Sequence, residues 1–146
     1  MSLVNNVLSS KSHFAPLFLR VPVGIILMAH GSQKLFGWFG GYGLEGTGKF
    51  MASLGLHPGI LMAGMAGSAE FFGGLCLILG LLTRPAAAVI GFTMLVAIFS
   101  VHIGNGLFLA NNGFEYALAL AAVCASLLVS GSGRLSIDKI LSAKIS

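Results

Sequence analysis

One acidic residue, Glu70, lies in the middle of an apolar segment, Gly59–Leu82, that contains no other charged residue. About 20 consecutive apolar residues cross the hydrocarbon core of a bilayer as a helix, so this segment is long enough to span a membrane. A charged side chain at that depth is costly, and it normally faces a bundle interior or a water-filled cavity. The segment therefore predicts a membrane helix that carries a polar site.

The composition excludes a water-soluble domain. Of the 146 residues, 56% are hydrophobic and 8% are charged, whereas about 25% of the residues of a soluble domain are charged. The net charge of +4 does not indicate nucleic-acid binding, because the Lys and Arg residues stand at the ends of apolar segments. The bilayer is therefore the predicted surrounding of the chain.

Four apolar segments are predicted to be helices, because they lack the alternation of strands and because lipid requires an internally satisfied backbone. They cover about residues 14–32, 59–82, 85–103 and 114–131. The predicted fold class is all-α, an integral membrane four-helix bundle formed by one domain over residues 1–146. A short interfacial helix is expected in the first outer loop, and a short amphipathic helix at the C-terminus.

The basic residues are distributed unequally between the two sides of this topology. One side has Lys11, Arg84, Arg134, Lys139 and Lys144, and the other has Lys34 and Lys49. Loops rich in Lys and Arg stay in the cytoplasm. We therefore predict a multi-pass protein whose N- and C-termini are both cytoplasmic.

Two connections lie on the predicted outer side. The loop 34–58 is rich in glycine and aromatic residues, and Phe36, Trp38 and Tyr42 form either the aromatic wall of a site or an interfacial anchor. The connection 104–113 is uncharged, and it forms either a lid over the site or a plain loop.

Five further polar residues lie in or at the ends of the apolar segments. With Glu70 they form a candidate ligand-binding or proton-relay site: Arg20, His30, Lys34, His102 and Glu115. A lone ionised carboxylate at the bilayer midplane is unfavourable, so Arg20 is predicted to be the electrostatic partner of Glu70. Two interpretations remain open: the pair only fixes the register of two helices, or it belongs to a functional pocket.

Small residues surround Glu70 at helical spacing and predict a close helix interface. They are Ala66, Gly67, Gly73 and Gly74. Leu77 is placed on the lipid-facing side.

Cys76 and Cys124 are either a redox pair or two small core residues. No two histidines have the i, i+4 spacing of a metal site.

Two stretches resemble the DoxX family of small bacterial membrane proteins. The first is R-x-x-x-G-x-x-x-x-x-H-G-x-x-K-L-F-G-W-F-G-G, from Arg20 to Gly41, and the second is E-F-F-G-G-L-C-L-I-L-G-L-L-T-R-P-A-A, from Glu70 to Ala87. The resemblance implies a four-helix protein of the bacterial inner membrane. Some members are quinone-side subunits of thiosulfate:quinone oxidoreductase, and others are associated with quinones or oxidative stress. The matching positions are Arg20, His30, Gly31, Lys34, Glu70, Gly73, Gly74 and Arg84.

The function expected from the residues and the resemblance together is a quinone- or redox-associated membrane subunit with a polar intramembrane site. No covalent cofactor is expected. A quinone is the expected ligand, and a soluble oxidoreductase and a second copy of the chain are the expected partners. The alternative is a non-enzymatic binding or transport protein, or a scaffold for a soluble redox partner.

Overall fold

The computed structural model describes residues 14–145, and over this range the fold is all-α without strands. This confirms the prediction that the fold is all-α. Its six α-helices are α1 (Ala15–Phe36), α2 (Gly43–Ser53), α3 (Gly59–Leu79), α4 (Thr83–Ala97), α5 (Glu115–Ser130) and α6 (Ile137–Ile145). Helix α4 continues as a π-helical turn, Ile98–His102, and a 3-10 turn, Ile103–Asn105.

The four longest helices pack in cyclic order. Helix α1 lies against α3, α3 against α4, and α4 against α5, which contacts α1 again. The lower end of the bundle contains the start of α1, the α3–α4 turn and α6. The upper end contains α2, which packs on α3 and α1, and the connection from α4 to α5.

Three helices have the length and hydropathy needed to cross a membrane. They are Ala15–Phe36, Gly59–Leu79 and the extended helix Thr83–Asn105, whereas α5 is apolar but shorter. Many large apolar side chains point away from the bundle, including Phe18, Phe92 and Phe99, each about two-thirds exposed or more. Side chains of this kind are solvated by lipid in a membrane protein. The fold is therefore of the membrane type.

Glycines allow α1 and α3 to approach closely, as their spacing predicts. A Cβ atom added to Gly24 would lie 2.6 Å from the carbonyl oxygen of Gly74, and one added to Gly31 would lie 2.8 Å from that of Gly67. Real Cβ atoms do not approach backbone atoms so closely. The α1–α3 contact is therefore a backbone-to-backbone interface of the kind that small residues form in membranes.

The prediction that Leu77 faces lipid is wrong. Its side chain is fully buried in the core, where Leu27, Ile90 and Leu127 are also buried. Leu77 lies seven residues after Glu70, which is about two helical turns, so it shares the face of α3 that Glu70 turns to the bundle interior.

We expect Gly74→Ala to lower the free energy of unfolding by about 1–3 kcal/mol, because the new methyl group forces α1 and α3 apart. The matched control is Gly64→Ala on the same helix, where the nearest atom to an added Cβ is Leu44 Cδ1 at 3.8 Å. That control should stay neutral or gain up to about 1 kcal/mol from helix propensity. Thermal unfolding in mild detergent measures both. Equal unfolding temperatures for the two variants would contradict the close interface.

Candidate functional site

A cavity of about 520 Å³ lies in the upper half of the bundle, between α1 and α3 on one side and α4 and α5 on the other. Helix α2 and the α4–α5 connection contribute to its upper wall. Most of the lining is apolar. The polar lining residues are His30, Lys34, Tyr42, Thr47, Glu70, Thr93, Ser100, His102, Asn112 and Tyr116.

A buried ion pair forms one wall of this cavity. Lys34 Nζ lies 2.5 Å from Glu70 Oε2. The Glu70 side chain is 5% exposed and that of Lys34 is 25% exposed. Lys34 lies about one helical turn after Gly31 on α1, and Glu70 lies about one turn after Gly67 on α3. Because Gly31 and Gly67 are in contact, the two charged side chains also come together.

The predicted pairing of Arg20 with Glu70 is wrong. Arg20 is fully buried near the lower end, and its guanidinium donates to five backbone carbonyl oxygens. Those oxygens belong to Leu77, Ile78, Ser132, Arg134 and Leu135. The first two are among the last carbonyls of α3, which have no partner within the helix. Arg20 therefore closes the C-terminal end of α3 and holds the segment before α6.

Helix α6 is held to the lower end by a second contact. The Asp138 carboxylate accepts hydrogen bonds from the N–H groups of Leu82, at 2.7 Å, and Thr83, at 3.0 Å. A carboxylate at the start of a helix satisfies N–H groups that lack a partner within the helix, and it interacts favourably with the helix dipole. The predicted C-terminal helix is present, and it is packed onto the bundle.

The wall opposite the ion pair comes from α4, α5 and their connection. The π-helical turn of α4 contributes Ser100 and His102. Turns of this type occur frequently at functional sites. Nδ1 of His102 lies 2.8 Å from the carbonyl oxygen of Asn112, and the centroid of the Tyr116 ring lies 6.1 Å from that of the His30 ring. The connection 104–113 therefore supplies part of the cavity wall.

The structure divides the predicted site residues into two groups. His30, Lys34, Glu70, His102 and Tyr42 line the one cavity, whereas Arg20, Glu115, Phe36 and Trp38 are not among its lining residues.

Two of the residues outside the cavity have other local contacts. Glu115 accepts a hydrogen bond of 2.7 Å from the N–H of Leu109. The centroid of the Phe36 ring lies 5.0 Å from that of the Trp38 ring and 5.4 Å from that of the Phe71 ring.

Five polar lining residues were not predicted: Thr47, Thr93, Ser100, Asn112 and Tyr116. Thr93, Ala97 and Ser100 are spaced i, i+4 and i+7 on α4, which places small or polar side chains on one helical face. That spacing is a signal in the sequence. Tyr116 is adjacent to Glu115 in the sequence. Which of the two side chains faces the bundle depends on where α5 begins, and in the structure it begins at Glu115.

Within residues 14–145 the structure has no group of three or more His, Cys, Asp or Glu side chains that could hold a metal ion. Both cysteines are free thiols. Cys124 is buried and Cys76 is half-buried.

Comparisons with known proteins match the chain along most of its length. A Bacillus subtilis (strain 168) protein named "Putative oxidoreductase CatD" is 34% identical over 122 residues, which cover 84% of this chain and 83% of that protein. The "Inner membrane protein YqjF" of Escherichia coli (strain K12) is 32% identical over 134 residues, or 88% of this chain and 92% of that protein. No solved structure matches the chain significantly.

A Haemophilus influenzae relative, whose name assigns no function, is 32% identical over 142 residues, or 92% of this chain and 96% of that protein. The family model named DoxX matches residues 15–103, which run from the start of α1 to the residue after the π-helical turn. This range includes both members of the buried ion pair. The chain is a membrane protein that belongs to the DoxX family.

Proposed function

We propose that this protein is a quinone-associated subunit of the inner membrane whose upper cavity binds a quinone ring. The observation that carries the proposal is the convergence of a buried Lys34–Glu70 pair and two histidines on one mostly apolar cavity. The cavity volume of about 520 Å³ lies within the range of roughly 300–1,000 Å³ that is usual for small-molecule sites.

The chemistry of the lining residues fits a quinone. The ring is flat and apolar, and each of its two carbonyl oxygens accepts hydrogen bonds. Lys34 supplies an ammonium donor, and Tyr116 and Ser100 supply hydroxyl donors. A bound quinone would supply two-electron, two-proton redox chemistry. Lys34 and Glu70 would hold a proton beside it, at Nζ or at the carboxylate.

Electrons would come from another protein, which we propose to be a soluble oxidoreductase. The name of the Bacillus relative, "Putative oxidoreductase CatD", supports a redox role. In the scaffold alternative, a soluble redox enzyme would bind at the lower end, where α6 carries the basic residues Lys139 and Lys144.

We further propose that four helices cross the membrane and that the upper end faces outward. Four of the basic residues behind this orientation lie at the lower end: Arg84, Arg134, Lys139 and Lys144. Lys11, the fifth, lies outside the described residues. The upper side has two basic residues, Lys34, which is paired with Glu70, and Lys49, which is exposed and paired with Glu45. The lower side therefore has the excess of Lys and Arg that is typical of the cytoplasmic face.

Labelling of single cysteines tests this orientation. In a background in which Cys76 and Cys124 are replaced by alanine, a membrane-impermeant thiol reagent applied to intact cells should modify Glu45→Cys and spare Lys144→Cys. Both positions are exposed on the protein surface. Permeabilised cells, in which both should react, are the control. The reverse pattern in intact cells would overturn the orientation.

Identification of co-purified molecules tests the proposed function. The protein would be extracted in mild detergent, and its bound lipids, quinones and proteins would be identified by mass spectrometry. About one quinone per chain supports the proposal. A stoichiometric soluble oxidoreductase without quinone would favour a scaffold, and the absence of both would favour the non-enzymatic binding or transport alternative.

A further inference from the structure

A hydrogen bond to the backbone selects the tautomer of the neutral His102 ring. Its Nδ1 lies 2.8 Å from the backbone carbonyl oxygen of Asn112. A carbonyl oxygen only accepts hydrogen bonds, so Nδ1 must carry the proton. In the neutral imidazole the other nitrogen, Nε2, is then unprotonated and is a hydrogen-bond acceptor.

The backbone around Asn112 is arranged to present this carbonyl. Asn112 has a left-handed backbone conformation, with φ 59°, which asparagine tolerates better than most residues. Asn105 Nδ2 donates to the same oxygen at 3.2 Å. Two donors therefore converge on one carbonyl and fix the loop against the π-helical turn that carries His102.

His102 and Asn112 both line the cavity. Within residues 14–145, the structure shows a hydrogen bond of the His102 ring through Nδ1 alone. The opposite wall carries the Lys34 ammonium, which is a donor only. The cavity thus has a donor on the α1–α3 side and a histidine with a free acceptor nitrogen on the α4–α5 side.

We propose that Nε2 of His102 accepts a hydrogen bond from a ligand hydroxyl, so that the cavity prefers the hydroxyl-bearing quinol to the quinone. This inference rests on the proposed function and specifies the form of the ligand. A quinone has only acceptor oxygens, so it leaves Nε2 without a donor, whereas a quinol donates to it. One neutral hydrogen bond corresponds to about a tenfold preference.

Binding of the two redox forms tests this preference. Decylubiquinol and decylubiquinone would be titrated anaerobically into the detergent-solubilised protein in a calorimeter. The parent should bind the quinol about tenfold more tightly, and His102→Phe should bind the two forms about equally. His57→Gln, an exposed histidine outside the cavity, is the matched control and should keep the preference.

The outcomes separate this inference from the proposed function. Equal binding of both forms by the parent, or a preference that survives in His102→Phe, would overturn the inference and leave quinone binding intact. Failure of the parent to bind either form would overturn both.

Nitrogen-15 NMR of the histidine-labelled parent protein tests whether Nε2 of His102 is an unprotonated acceptor for the ligand hydroxyl. This measurement does not depend on the folding of His102→Phe. The His102 signals are assigned as those missing from His102→Gln. Nδ1 should have the shift of a protonated ring nitrogen and Nε2 that of an unprotonated one, and decylubiquinol should move the Nε2 signal. A protonated Nε2, or an Nε2 signal that does not respond to saturating quinol, would contradict the inference.

Discussion

Replacing Arg20 by alanine is expected to lower the free energy of unfolding by at least about 3 kcal/mol, because five backbone carbonyls each lose a charged hydrogen-bond donor. The guanidinium has five N–H donors, and each has a carbonyl partner at 2.6–3.4 Å. Loss of this contact frees the C-terminal end of α3 and the segment before α6 together. Thermal unfolding in detergent measures the effect.

Two further variants identify the partner of Arg20. Arg20→Lys should be almost as damaging, because an ammonium group has three donors and cannot reproduce the planar guanidinium contacts. Adding Glu70→Gln to Arg20→Ala should not restore stability, since the two residues have separate partners and their effects should add. Recovery of stability in the double variant would show that Arg20 and Glu70 are coupled after all.

Replacing Lys34 by methionine is expected to lower the free energy of unfolding by about 3–5 kcal/mol, because it leaves the Glu70 carboxylate buried without its countercharge. Replacing the other partner, Glu70→Gln, should lower the free energy of unfolding less. The charge left unpaired is then that of Lys34, whose side chain is 25% exposed, whereas that of Glu70 is 5% exposed. The double variant Lys34→Met/Glu70→Gln should recover most of the stability. Ligand binding should be lost in all three variants, because each removes at least one charged group of the cavity wall.

The exposed pair of Lys49 and Glu45 supplies the control. Its side chains are 77% and 80% exposed at a separation of 3.3 Å, and exposed pairs contribute roughly 0–1 kcal/mol. Lys49→Met should therefore leave stability and binding close to those of the parent. If Lys34→Met were as mild as Lys49→Met, the Lys34–Glu70 pair would not be a buried, energetically coupled pair.

The sequence was sufficient to predict the polar residues on the α1–α3 side of the site. Glu70 stands out because no other charge occurs in its segment, and its small neighbours predict the close approach of α1 to α3. Helical spacing also places Lys34 on the same face as Gly31. Three of the predicted site residues, His30, Lys34 and Glu70, line the cavity for these reasons.

The role of Arg20 could not be predicted in the same way. Its acceptors are backbone carbonyls, which every residue has, so no residue type in the sequence marks them. Two of these acceptors lie more than one turn beyond Glu70 on α3, and the others come from the segment before α6. A search for an oppositely charged partner therefore selected Glu70.

On the α4–α5 side of the site, the positions of His102, Asn112 and Tyr116 depend on irregular backbone or on a helix start, which periodicity does not describe. His102 lies in a π-helical turn, and its acceptor lies in a loop at the left-handed residue Asn112. The position of Tyr116 depends on where α5 begins. These features arise from packing at the upper end and not from a residue pattern.

Ligand titration of the protein in lipid nanodiscs tests the central claim, that the upper cavity binds a quinone ring. We predict saturable binding of one decylubiquinol or decylubiquinone per chain. Ala97→Phe, which fills the cavity from α4, should weaken that binding at least about tenfold, a change of 1.4 kcal/mol. Ala88→Phe, at an exposed position of the same helix, should bind like the parent. Absence of saturable binding, or unchanged affinity in Ala97→Phe, would contradict the account.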